Sequence, residues 1–225
     1  MPSAPPAAVL WDMDGTLVDT EAHWLAAETA LIESFGGEWT HEQALTLVGK
    51  GLESSAIVLQ RAGVRMAVAE IVDHLTASVL TSIAEEGSAM RPGAAELLAD
   101  VRAAGIRCAL VTMSLHHMAE AIVAPFGDAF EVIVAGDDVT RPKPFPDAYL
   151  QACQTLGIDP LDAVAIEDSP TGVRAAVAAG VPTIGVPNLA SLAGVGPHAL
   201  WPTLQGRTAE DIAAFHAAYR AGGRV

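Results

Sequence analysis

The chain has 225 residues, of which 51% are hydrophobic, and carries 27 acidic against 12 basic side chains, a formal net charge of −15. That length holds one domain with an insert or two modest domains, and the apolar content excludes a disordered chain. The acidic balance argues against nucleic acid or an anionic membrane as partner, and any phosphorylated substrate would need a cation and locally placed positive groups; the chain has only two lysines, Lys50 and Lys143.

The start, Met1-Pro2-Ser3-Ala4-Pro5-Pro6, lacks a basic region and an apolar core, so no secretory signal and a cytoplasmic location are expected. Residues 9–12 read as a buried strand, its apolar run Val9-Leu10-Trp11 leading directly into Asp12-Met13-Asp14-Gly15-Thr16. Two acids one residue apart then sit at a strand end, where an open parallel sheet binds ligands. One carboxylate can attack an electrophile and hold a hard cation while the other moves a proton; the bland alternative is an acidic turn. From Thr20 the period becomes helical. Trp24, Leu25, Leu31, Ile32 and Phe35 fall on one face, and Gly36-Gly37 ends the helix. Thr40-His41-Glu42-Gln43 has capping-box spacing for a second helix stopping near Gly49, and Gly49-Lys50-Gly51 is a flexible turn. Further helices are predicted over 54–62 and 68–85. Residues of about 20 to 87 thus contain no strand and read as an inserted helical bundle.

After Arg91-Pro92-Gly93 strands and helices alternate, which implies a parallel sheet covered on both faces and joined by the first strand. The predicted strands cover 106–112, 132–135, 163–166 and 183–186, with helices over 94–104, from about Ser114 to Pro125, up to Gly157, and 171–179. Thr112-Met113-Ser114 ends a strand before a helix, so its hydroxyls suit either a phosphate oxygen or simple N-capping. Lys143 stands in Arg141-Pro142-Lys143-Pro144-Phe145-Pro146, either held rigidly or solvated. Glu167-Asp168-Ser169-Pro170 puts two acids before a helix, with Ser169 as N-cap; the helix dipole alone would accommodate them, but four polar strand ends on one sheet edge favour a shared site. Residues 175–197 carry no charge, yet Pro182, Pro187 and Pro197 make them a helix end, strand and loop rather than a membrane span. Beyond Pro187 an extra strand and the amphipathic stretch Ala209–Tyr219 are expected to pack on the core. Cys108 and Cys153 lie in apolar runs and read as two buried thiols in a reducing compartment.

Asp12-Met13-Asp14-Gly15-Thr16, Thr112, Lys143 and Glu167-Asp168-Ser169, in this order with a helical insert after the first, resemble the four motifs of the haloacid dehalogenase superfamily of phosphotransferases. The insert position resembles the α-helical cap type, closest to the β-phosphoglucomutase-like branch of phosphatases and mutases. The resemblance implies an α/β fold, a Rossmann-like core of residues 1–18 and 89–225, and a cap of residues 19–88 hinged near 18–20 and 86–93. It implies Asp12 as nucleophile, Asp14 as acid and base, and Thr112 and Lys143 on the phosphoryl oxygens. It also implies Mg2+ held by Asp12, the Asp14 carbonyl, Asp168 and Glu167 as ligand or supporting residue, with no organic cofactor. Thr16, Gly49, Lys50, Ser114 and His116 are candidates to contact substrate; for Lys50 and for His116 with its neighbour His117 a plain surface role stands beside that reading. Asp14 argues against dehalogenase and phosphonatase chemistry. Trp24 where mutases of the branch carry histidine, and Leu47-Val48-Gly49 in place of Leu-Lys-Gly, lean toward hydrolysis. The expected substrate is a small sugar or polyol phosphate and the expected state a monomer; mutase activity, a non-catalytic phosphate-binding role and a receiver-type domain are the alternatives.

Overall fold

A computed structural model describes residues 5–87 and 89–222. The expectations placed on Met1–Ala4, and the outermost bounds assigned to core and cap at residues 1–4, 88 and 223–225, lie outside the described residues. Strands β1 (Ala8–Trp11), β4 (Arg107–Val111), β5 (Val132–Val134), β6 (Ala163–Glu167), β7 (Thr183–Gly185) and β8 (Ala199–Leu200) form one parallel sheet in the order β5-β4-β1-β6-β7-β8. The strand that the sequence places apart from the others is therefore central, between β4 and β6. The chain winds outward from β1 to β5 and then crosses to β6 on the other side. That reversal leaves a crevice at the strands' carboxyl ends.

Alternation along each strand supplies two cores. Val9, Trp11, Cys108, Leu110, Val164 and Ile166 face one side, in a core that includes α5 (Ala94–Ala103), α6 (His116–Val123) and α9 (Ala209–Arg220). Leu10, Ala109, Val111 and Ala165 face the other side, against α7 (Asp147–Leu156) and α8 (Pro170–Ala178). The second face is built largely from alanine, so these helices can lie close to the sheet. Both cysteines are buried free thiols, one in β4 and one in α7.

The helical segment leaves and re-enters the core through a short antiparallel pair, β2 (Val18–Asp19) with β3 (Ala89–Met90). Between them α1 (Glu21–Ser34) and α3 (Leu52–Arg61) pack on α4 (Val68–Glu86), with α2 (His41–Leu45) beside α1. The capping box at α2 forms as its spacing predicts: Gln43 N–H donates to Thr40 Oγ1 at 3.2 Å and Thr40 N–H to Gln43 Oε1 at 2.9 Å. The helix is shorter than its pattern suggested, ending at Leu45, and turns carry the chain to Gly49. The uncharged stretch 175–197 is the end of α8, then β7 and a loop. Among the described residues no helix is long and apolar enough to cross a membrane.

Candidate active site

Four strand ends meet at the crevice. Asp12 follows β1, Thr112 follows β4, Glu167 and Asp168 end β6, and Lys143 reaches in from the loop after β5. Lys143 is 3% exposed. Its Nζ donates to Asp12 Oδ1 at 2.7 Å, Glu167 Oε1 at 2.6 Å and the Val111 carbonyl at 2.8 Å. All three ammonium donors are satisfied, so the solvated-lysine alternative is excluded. Burial alone would lower its pKa, but Asp12 and Glu167 together raise it above the usual lysine range. Tyr149 of α7 donates to the same Glu167 oxygen at 2.6 Å. Glu167 thereby acts as a post that holds Lys143 against Asp12.

The carboxylates outnumber the cation. Asp12, Glu167 and Asp168 are all buried and present ligand oxygens within 4.8 Å of one another. Burial first, then Glu167, pushes Asp12 up to about 7 despite Lys143; burial and then Asp12 push Asp168 well above the carboxylate range. Such a cluster is short of positive charge, and its hard oxygen donors fit a divalent cation of the Mg2+ type. It follows that, without metal, folding stability should fall as pH rises from about 4 through 7: the native state still holds the Asp12 proton that the unfolded chain has released. Thermal unfolding of the chelator-treated protein across that range checks this expectation, and saturating Mg2+ should flatten the slope.

Asp14 faces the cap. Its Oδ1 accepts from the Thr20 hydroxyl and from Trp24 Nε1 at 3.3 Å, and its Oδ2 from Ser114 Oγ at 2.7 Å and Thr112 Oγ1 at 3.4 Å. The capping alternative for Thr112-Met113-Ser114 fails, because α6 starts two residues later and its N-cap is Leu115, with no side-chain bond. Ser169, in contrast, does cap α8, accepting from Gly172 N–H at 3.0 Å. Asp12, Asp14, Thr112, Ser114 and Asp168 line one cavity, closed from above by Trp24, Leu25 and Glu28 of α1 and by the Leu47–Lys50 turn. A Cβ on Gly49 would lie 3.1 Å from that of Ser169, so this turn rests on the core. Lys50 is exposed and lines both this cavity and a neighbouring cleft between cap and core.

Two candidates from the sequence are not at the cavity. His116 pairs through Nδ1 with Asp138 Oδ2 at 2.6 Å, its N–H bonds Asp137, and Glu120 lies at 3.6 Å. The Asp138 bond first, with the other acids, raises its pKa; local acids hold this ring, and it is not a lining residue. Thr16 is buried beneath the motif turn, its hydroxyl without a partner. Conversely, Thr20, Glu28, Tyr149 and Asn188 stand at or beside the site and carry no local sequence signal for it. Trp24 falls on the apolar face of its helix as well as at the position of the mutase histidine, and Tyr149 reads as an ordinary helix residue. Asn188 carries a buried, unpartnered Nδ2 near the Gly15–Asp168 contact.

Two glycines make the packing possible. Gly15 has φ +82°, and a Cβ there would stand 2.2 Å from Asp168 Oδ2. A Cβ on Gly172, inside α8, would fall 1.9–2.0 Å from the Glu167 carboxyl oxygens. Alanine normally favours a helix interior over glycine by about 1 kcal/mol. Gly172→Ala is nevertheless expected to destabilise the fold by roughly 1–3 kcal/mol through overpacking. It should also lower kcat by displacing the Glu167–Lys143 pair; denaturant unfolding and steady-state kinetics check both.

Residues 9–186 match the haloacid dehalogenase-like hydrolase family. The chain is 36% identical over 193 residues to protein CbbY of Rhodobacter capsulatus, covering 80% of this chain and 85% of that protein. It is 32% identical over 188 residues to hexitol phosphatase B of Escherichia coli K12, covering 80% and 83%. The crystal structure of CbbY from Rhodobacter sphaeroides in complex with phosphate superposes with a TM-score of 0.80 at 32% identity, covering 89% of this chain and 96% of that one.

Proposed function

The chain belongs to the haloacid dehalogenase-like hydrolase family and is a phosphoric monoester hydrolase, and on that premise we propose that it hydrolyses a small sugar or polyol phosphate, with Mg2+, through an aspartyl-phosphate on Asp12. The observation that carries this reading is the meeting of Asp12 and Asp14, Thr112 and Asp168 at one cavity, with Lys143 bonded to Asp12, from four separate segments. Hexitol phosphatase B, by its name, supports the substrate class.

In this reading an Asp12 oxygen attacks phosphorus as the ester bond breaks, and Asp14 gives its proton to the departing alkoxide. Water then attacks the same phosphorus while Asp14 takes a proton, and the bond to Asp12 breaks to release phosphate. Thr20, Trp24, Ser114 and Thr112 hold the Asp14 carboxyl in place for both transfers. Lys143 favours the ionised form of Asp12, opposing burial and Glu167, and offsets the repulsion between that carboxylate and the phosphoryl oxygens. Mg2+ would be held by Asp12, Asp168 and the Asp14 carbonyl, with Glu167 as ligand or support, and would supply charge neutralisation to the phosphoryl group. The segment 19–88 acts as a cap on the core of 1–18 and 89–225, excluding bulk water.

Phosphate release from a panel of sugar, polyol, glycolate and nucleotide phosphates, with and without Mg2+, tests the proposal. Metal-dependent release from sugar or polyol phosphates is expected. Isomerisation of glucose 1-phosphate without release would favour the mutase reading, and no turnover from folded protein would contradict both.

Saturating Mg2+ should also stabilise the fold. At 100 times its Kd the gain is about 2.7 kcal/mol, or roughly 5–10 °C in Tm for a chain of this size. Thermal unfolding with and without chelator measures it.

A further inference from the structure

The cavity above the catalytic carboxylates contains two acids that the chemistry does not use, Glu21 and Glu28. Glu21, Trp24, Leu25 and Glu28 stand at i, i+3, i+4 and i+7 on α1, share one helix face, and all line the cavity. Glu28 is 5% exposed, and its Oε2 has no hydrogen-bond partner. Among the described residues no basic group offsets it. Burial first, and Glu21 second, push its carboxyl up to about 8. At neutral pH it therefore keeps its proton and offers both a donor and an acceptor. A buried, unpartnered carboxyl among helices costs stability that an aliphatic side chain would not. Its position is also informative. Seven residues at 1.5 Å rise put it about 10 Å along α1 from Glu21, away from the Thr20–Asp14 contact where the reaction occurs. The distal part of a sugar-sized leaving group would lie there.

The charge of the lining points the same way. Asp12, Asp14, Glu21, Glu28 and Asp168 contribute carboxyl groups, and Lys50 is the one lysine or arginine among the lining residues. That cation sits in the exposed turn, so the α1 residues that line the cavity include no lysine or arginine; Arg91 acts on Glu21 from outside the lining. A second phosphate or a carboxylate on the leaving group would find no lining cation on that wall.

We propose that Glu28 is the residue that determines leaving-group specificity: it bonds a distal hydroxyl of an uncharged, polyhydroxylated leaving group, in a wall that supplies no lysine or arginine to balance a second anionic group at that end. The proposal rests on the phosphatase reading above and narrows it to monophosphates.

The test measures kcat and KM of the full chain with saturating Mg2+ for a hexitol monophosphate, the matching hexitol bisphosphate, and acetyl phosphate, whose leaving group is too short to reach Glu28. Wild type, Glu28→Gln and Glu28→Leu are compared. Wild type should prefer the monophosphate over the bisphosphate by about a hundredfold or more in kcat/KM. Glu28→Leu should lower the ratio of monophosphate to acetyl phosphate kcat/KM by about tenfold, mainly through KM. Glu28→Gln, with a donor and an acceptor of the same shape, should recover most of that ratio. Glu28→Leu should also melt at a higher temperature than wild type, whereas loss of a merely structural residue would lower the melting temperature and both activities together. A ratio unchanged in Glu28→Leu, or a wild-type preference for the bisphosphate, overturns the inference while leaving the phosphatase reading intact. Absence of release from every substrate, acetyl phosphate included, overturns the phosphatase reading and the inference with it.

Discussion

Asp12→Asn is expected to abolish metal-dependent phosphate release, lowering kcat by on the order of 10^4-fold or more, while leaving the fold at least as stable as wild type. The two halves of this expectation have different causes. An amide offers no anionic oxygen, so the covalent step is lost. The fold survives because burial and Glu167 already oppose the Asp12 charge, pushing its carboxyl up to about 7. A neutral isostere removes that opposition, and Lys143 keeps Glu167 and the Val111 carbonyl as partners. Phosphate release and denaturant unfolding on the same preparation separate the two effects. Loss of activity together with collapse of stability would mean that Asp12 is structural.

Lys143→Met should behave in the opposite way. Methionine fills much of the space, but Asp12 and the fully buried Glu167 are left facing each other without a cation. Breaking a buried ion pair from one side typically costs about 3–5 kcal/mol, and the same is expected here. Activity should fall by roughly 10^2–10^3-fold as well, from loss of a preorganised charge beside the phosphoryl group. Mg2+ should recover part of the stability, since it supplies positive charge to the same carboxylates, but not the rate. Equilibrium unfolding with and without Mg2+, alongside kcat, distinguishes this from simple loss of packing.

The contrast between these two residues explains what the sequence could and could not convey. Asp12 was legible because an apolar strand running into two spaced acids is a local pattern. Lys143 was legible as scarce and held among prolines, but its triple contact depends on the strand order β5-β4-β1-β6, which brings a loop from the sheet's edge over to its centre. Periodicity does not specify that order. The same holds for Tyr149: its hydroxyl meets Glu167 only because α7 packs on the alanine-rich face of the sheet. On α1 the helical pattern was read through its apolar residues. Trp24 shows in that pattern as an apolar position, yet its indole N–H reaches Asp14, and Glu28 does not stand out because a glutamate on a helix normally faces water. His116 is a related case. Its position after the second motif was right, but Asp137 and Asp138, twenty-odd residues later, were not visible as its partners.

The covalent step on Asp12 is the centre of this account, and it can be observed directly. Asp14→Asn, which should slow hydrolysis of the intermediate more than its formation, is mixed with acetyl phosphate and Mg2+, quenched in acid and reduced with borohydride. Reduction converts an aspartyl-phosphate to homoserine, which peptide mass spectrometry then locates. The account predicts homoserine at position 12 and nowhere else, dependent on Mg2+ and absent from the Asp12→Asn, Asp14→Asn double variant. Homoserine at another aspartate, or none at position 12 while phosphate is released at the single-turnover rate, would contradict it.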